Sequence, residues 1–154
     1  MTCATKYYDL SSSSTVAVAN STSFSLTYGS ASLEGFMVTD VACLDTTEEM
    51  CAEEFEFFAI TKETGLDGID GILGLSPPDE SKNGPSYMKA LYRQGVIKEA
   101  IASFWLNWAD SGSSSVTFGG EPEDATTGET HTQKLDVKND MWWTVTLGSV
   151  EYGG

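Results

Sequence analysis

Few residues in this chain of 154 have the type and spacing to do chemistry. Two carboxylates that share one proton can hydrolyse an amide. One activates water and the other protonates the carbonyl, because like charges held close cannot both ionise. Asp110, in Asp110-Ser111-Gly112-Ser113-Ser114, is the candidate catalytic carboxylate, although this run is also ordinary turn chemistry. Asp67 and Asp70 flank Gly68, where turn bonding and a structural hydrogen bond explain them without catalysis. The single His131 lies in the polar run Gly-Glu-Thr-His-Thr and reads as solvent-exposed, so no Ser-His-Asp triad forms around it. Zinc could be held by Cys3, Cys43, Cys51 and His131, but no C-x-x-C pair is present and no metal is expected. No phosphate-binding glycine loop or dinucleotide fingerprint occurs, and no cofactor is expected.

Composition narrows the function classes. Hydrophobic residues make up 40% and charged residues 20%, a globular balance. Acids outnumber bases 23 to 8, for a net charge of −15. Such a field repels phosphate backbones and argues against a nucleic-acid partner. Protonation in an acidic compartment would relieve the self-repulsion, but a solvated acidic surface is the simpler account of the charge. No apolar run approaches the roughly 18 residues of a membrane helix. The N-terminus has no apolar signal region, so the chain is expected either to be cytosolic or to lack its true N-terminus.

Cys43 and Cys51 bracket a short acidic stretch that fits a disulfide-closed hairpin tip in an oxidising compartment. Cys3 is then left over, which suggests a partner upstream. Asn20-Ser21-Thr22 is a glycosylation sequon and makes Asn20 a candidate modification site.

The elements around these residues read mostly as strands. Val16 to Ala19 forms a short strand. Phe24, Leu26 and Tyr28 alternate with Ser25 and Thr27 as in a half-buried strand, and Leu33 to Val41 returns to complete a hairpin. Phe55 to Thr61 and Ile69 to Leu75 are further strands, the latter stopped by Pro77-Pro78. Gly71 and Gly74 inside that strand would mark the close approach of a backbone or ligand. Asp79 to Gly84 reads as a polar loop. Ser86 caps a helix through Met88, Leu91 and Tyr92 that stops at Gly95. A second short helix or an extended run carries Val96, Ile97 and Ile101. Strands follow at 104–108, 116–120, 134–138 and 142–147. The expectation is one mostly-β unit over 1–154 with one or two short helices.

Several segments, taken in order, resemble the pepsin-like (A1) aspartic endopeptidases. Tyr8-Asp9-Leu10 followed by four Ser and Thr15 is similar to the family's F-D-P-S-x-S-S-T stretch. Phe24-Ser-Leu-Thr-Tyr28-Gly29-Ser30 resembles its flap strand, and Val38-Thr39-Asp40-Val41 the return strand. Phe57-Phe58-Ala59-Ile60 and then Asp70-Gly71-Ile72-Leu73-Gly74-Leu75 resemble the core strand and the ψ loop. Leu91 to Ile97 resembles the helix that follows. Phe104-Trp105-Leu106, Val116 to Gly120 and Trp142 to Leu147 resemble the later hairpin and the sheet that links the lobes.

The resemblance implies an incomplete N-terminal lobe of a pepsin-like double-ψ β-barrel. It implies an extended peptide or protein substrate and a secreted, vacuolar or lysosomal acidic compartment. Tyr28 becomes the flap tyrosine, Gly29 and Ser30 offer polar groups to the peptide, and Leu66, Ile69 and Ile72 line apolar pockets. The loop before Ile69 is short for the family. Ala31 stands where the flap commonly has Gly, which implies a stiffer tip.

By the same resemblance Asp110 falls in a hairpin turn, downstream of the ψ loop. The matched region begins after the family's first Asp-Thr-Gly and ends before the second. The chain is therefore expected to be an internal piece of a larger enzyme, or the product of an incompletely assigned gene. It would carry the flap and substrate pocket and be inactive alone, with the remainder of the parent protease as its partner. The alternatives are a non-catalytic binding or inhibitor protein on the same scaffold, or a dyad built from Asp110 of two chains.

Overall fold

The computed structural model describes residues 7–18, 22–44, 46–66, 68–77, 79–107, 113–121, 134–138 and 141–152. Cys3, Asn20, Asp67, Asp110 and His131 lie outside the described residues. The chain divides into two compact units, Met1–Gly74 and Leu75–Gly154.

The first unit is built on three antiparallel strands, β1 (Phe24–Tyr28), β2 (Ala31–Cys43) and β3 (Cys51–Thr64), in that spatial order. β1 and β2 pair from Tyr28↔Ala31 to Phe24↔Gly35, so Gly29 and Ser30 form a two-residue hairpin loop. Gly29 has φ +59°, a conformation that costs glycine nothing and that hairpin loops of this length require. β2 and β3 run longer than the sequence pattern suggests, down to Cys43↔Cys51 at the far end, where the disulfide closes the tip.

Two register shifts bend this pair, between Glu34 and Gly35 and between Asp40 and Ala42. At the second, Glu54 takes up the extra residue with φ 49°. At the first, Gly35 is held against β3 so closely that a Cβ would stand 2.1 Å from the Ala59 carbonyl oxygen. Val38, Ala52 and Ala59 are buried, as is the cluster of Ala31, Leu33 and Leu66 with Phe58 packed against it.

Expectation and structure part at several places. The strand expected at Val16 to Ala19 is reduced to one bridge, Ala17↔Thr39. β1 is exposed along its whole length rather than half-buried, although Phe24 meets the Phe58 ring at 5.0 Å between centroids. Ile69 to Leu75 is irregular, because no strand among the described residues supplies a ladder for it. A Cβ at Gly71 or Gly74 would meet nothing within 4 Å, so neither marks a close approach.

In the second unit the helical signals hold. α2 spans Tyr87–Arg93, with the Ser86 hydroxyl accepting from the Lys89 N–H at 3.4 Å and Gly95 at φ +74° beyond the end. The stretch expected as loop contains a one-turn helix, α1 (Glu80–Asn83), capped by Asp79. Glu80 binds Arg93 at 2.7 Å and accepts the Ser86 N–H at 3.3 Å, tying the two helices together. The hydrogen bonds from Arg93 hold the Glu80 carboxyl below the ordinary carboxylate range. β4 (Ala102–Trp105) and β5 (Ser115–Phe118) form an antiparallel pair. Residues 134–138 and 142–147 are not strands; they share the hydrogen bond from the Lys138 N–H to the Thr144 carbonyl, 2.9 Å. The Trp143 indole donates to the Leu75 carbonyl at 2.6 Å. Among the described residues no helix is long and apolar enough to cross a membrane, and no cluster of three or more His, Cys, Asp or Glu could hold a metal.

Candidate functional site

A cleft of about 490 Å³ opens within the first unit. Its walls come from the free end of the β1–β2 hairpin, from the second half of β3 and from the irregular segment after Leu66. The hairpin contributes Leu26, Tyr28 and Leu33, which share one face because side chains alternate along a strand. β3 contributes Phe57 through Glu63, and the irregular segment contributes Ile69 through Ile72 and Gly74.

The structure therefore brings Tyr28, Leu66, Ile69 and Ile72 to one cleft. Gly29 and Ser30 form the loop at the hairpin's end and are not lining residues. Tyr28 is 55% exposed, whereas Leu66 is 7% exposed and sits in the core cluster with Ala31 and Leu33. Leu66 thus carries structure as well as cleft surface. Its N–H donates to the Glu63 carboxylate at 3.0 Å, and its carbonyl accepts the Ile69 N–H at 3.1 Å. These bonds fix the turn that leads from β3 into the apolar wall.

Tyr8 is also a wall residue, one that the sequence does not mark as part of the site. Its ring packs edge-on against Phe57, with centroids 5.1 Å apart. Its hydroxyl donates to Asp40 at 2.6 Å. Asp40 is 5% exposed and also accepts from the Thr15 hydroxyl and, at 2.8 Å, from the Val41 N–H. Burial opposes its charge, but the hydrogen bonds from Thr15, Tyr8, Ser13 and Val41 outweigh burial and hold the carboxyl down to about 2. Burial, and then the bond to Asp40, push the Tyr8 hydroxyl up to about 12. The signal was present in Tyr8 and Thr15 of the serine-rich stretch and in Asp40. No local pattern, however, says that residues 32 apart will meet.

The charged groups at the cleft are Lys62, Glu63 and Asp70. Lys62 pairs with Glu34 across the strands at 3.0 Å, with both side chains largely in solvent. That places this pair among contacts worth little stability. The rest of the lining is mainly aliphatic and aromatic. The candidate catalytic Asp110 lies outside the described residues.

The chain matches the eukaryotic aspartyl protease family over residues 2–154. It is 34% identical to vacuolar protease A of Arthroderma otae over 154 residues, covering 95% of this chain and 37% of that protein. It is 35% identical to vacuolar protease A of Neurospora crassa over 152 residues, covering 95% and 36%. Gastricsin of Callithrix jacchus is 30% identical over 153 residues, covering 96% and 38%. The solved aspartic proteinase from Irpex lacteus superposes with a TM-score of 0.62 at 28% identity, covering 82% of this chain and 39% of that one. The chain thus spans between a third and two-fifths of the length of these relatives.

Proposed function

The chain belongs to the eukaryotic aspartyl proteases and has a mostly β fold consistent with part of a pepsin-like lobe. From that premise we propose that it is the flap- and pocket-bearing part of an aspartic endopeptidase that cleaves extended peptides with a water activated by paired aspartates. The observation that carries this reading is the meeting of Tyr28, Leu66, Ile69 and Ile72 around one apolar cleft beneath a β-hairpin.

Tyr28 covers the bound peptide, its ring packing on apolar side chains and its hydroxyl free to turn to a hydrogen-bond partner. Gly29 and Ser30 supply backbone and hydroxyl groups to the peptide main chain. Ile69 and Ile72 receive side chains from the other wall. The Asp40 network does not touch the reacting bond; it holds Tyr8 in place as the end of the cleft.

The catalytic pair comes from sequence outside these 154 residues, and the chain alone binds peptide without cleaving it. Asp110 does not act in it: Asp110→Asn leaves any activity of the parent unchanged. The relatives named vacuolar protease A support a vacuolar or secretory acidic compartment for the parent protein. Asn20 carries a glycan there.

The test is the parent transcript and its product. An Asp-Thr-Gly or Asp-Ser-Gly encoded on both sides of this sequence, with tight, acid-favoured binding of a statine-containing peptide, supports the enzyme. Absence of either motif, or no statine binding, leaves a non-catalytic peptide-binding protein on the same scaffold.

A further inference from the structure

The cleft has two unlike ends. Phe57 and Glu63 both line it and stand six residues apart on β3, which is about 20 Å of extended chain at about 3.3 Å per residue. At the Phe57 end the wall is aromatic, where Tyr8 packs edge-on at 5.1 Å. At the Glu63 end it is charged. The register sets Leu26 opposite Leu33 and Leu33 opposite Glu63, so one row crosses all three strands on the cleft face: two aliphatic side chains, then a carboxylate. That carboxylate is held in place. Its Oε2 accepts the Leu66 N–H at 3.0 Å, and Oε1 has no hydrogen-bond partner among the described residues. Asp70, beyond the same turn, brings a second acid to this lining. Lys62 is the one cation among the described lining residues, but it pairs with Glu34 at 3.0 Å. This pair lies one step along the register from Leu33 and Glu63, so alternation turns it toward the opposite face of the sheet.

We propose that Glu63 is a specificity-determining residue, through which the cleft selects peptides whose apolar run ends in a lysine or arginine. This rests on the peptide-binding reading above. An extended peptide of about six residues reaches from the Tyr8–Phe57 ring pair to Glu63. Its apolar side chains then lie along β3, and the cation at its end meets Oε1 in a charge-assisted hydrogen bond. The bond to the Leu66 N–H orients the carboxylate before a peptide arrives, so little side-chain freedom is lost on binding. Glu63 binds the peptide and performs no chemistry on it.

Competition binding to the full 154-residue chain tests this, with a dansylated hexapeptide of valine, leucine and phenylalanine as the fluorescent probe. The competitors are the same hexapeptide with capped ends and with lysine, norleucine or glutamate at its first or its last position. At one of the two positions lysine should bind about five-fold more tightly than norleucine, as befits a well-placed, partly exposed ion pair, and glutamate should bind more weakly than either. Glu63→Gln keeps an acceptor for the Leu66 N–H and removes the charge. It should bring the lysine-to-norleucine ratio down to about one while the norleucine peptide binds as before. Glu48→Gln makes the same change of charge between the bridged Cys43 and Cys51, at the far end of the strands, and should leave the ratio at about five. The ratio does not depend on what fraction of the molecules is folded. Equal loss of the ratio in both variants, an unchanged ratio in Glu63→Gln, or no lysine preference in the unmodified chain overturns the role of Glu63 and leaves the peptide-binding reading standing. No saturable binding of the probe by the unmodified chain overturns that reading and this role together.

Discussion

At Gly35 one added carbon would stand 2.1 Å from the Ala59 carbonyl oxygen and 3.0 Å from the Phe58 ring. No rotamer relieves a clash with backbone, so β2 and β3 would have to separate at their register shift. Gly35→Ala should therefore cost about 3 kcal/mol, at the upper end of overpacking penalties, read as a lower urea midpoint with an unchanged slope. Asp40 makes a pH-dependent prediction. Its folded-state carboxyl titrates at about 2, below the ordinary 3.8, so the charged form is the one the fold favours. Its contribution is complete above about pH 4 and is lost as pH falls through 2. The stability gap between the unmodified chain and Asp40→Asn should be constant from pH 7 to 5 and close between pH 4 and 2. A gap that persists at pH 2 would mean that Asp40 acts through packing rather than charge. The network thus remains intact at mildly acidic pH.

Among the elements, those with a local cause were legible in the sequence. The β1–β2 hairpin follows from the alternation of Phe24, Leu26 and Tyr28 and the glycine at the loop, and α2 from Ser86 and Gly95 at its ends. The segments read as strands at 69–75, 134–138 and 142–147 have strand composition but no ladder partner among the described residues, and composition alone does not satisfy backbone groups. Half of the cleft was legible for the same reason. Tyr28, Ile69 and Ile72 sit in recognisable segments, whereas Tyr8 arrives through a bond to Asp40, 32 residues away. The Cys43–Cys51 pairing was also legible, as a short acidic tip between two strands. It closes a loop with a sequence separation of 8, for which chain-entropy arguments give about 2–3 kcal/mol. Replacing both cysteines by serine should lower the stability of the β2–β3 hairpin by about that amount in urea denaturation. Because the tip lies at the far end of the strands from Gly29, affinity for peptide should be unchanged in the folded fraction.

For the whole molecule, family membership and chain length point in one direction. The chain belongs to the aspartyl proteases, yet it spans between a third and two-fifths of the relatives it matches. Its described residues build a cleft lined by Tyr28, Leu66, Ile69 and Ile72, and under the proposed function the paired carboxylates lie outside them. The net charge of −15 adds a condition. Self-repulsion falls as carboxylates protonate, so an acidic medium relieves the charge that opposes this chain's compact state. The most direct measurement is hydrolysis of a fluorescently labelled denatured protein between pH 3 and 7, by the full-length product and by the 154-residue chain in parallel. The account predicts cleavage by the full-length product, greatest at acid pH and abolished by a statine-containing peptide, with none by the 154-residue chain. Statine-sensitive cleavage by the 154-residue chain alone, or no acid cleavage by the full-length product, would contradict it.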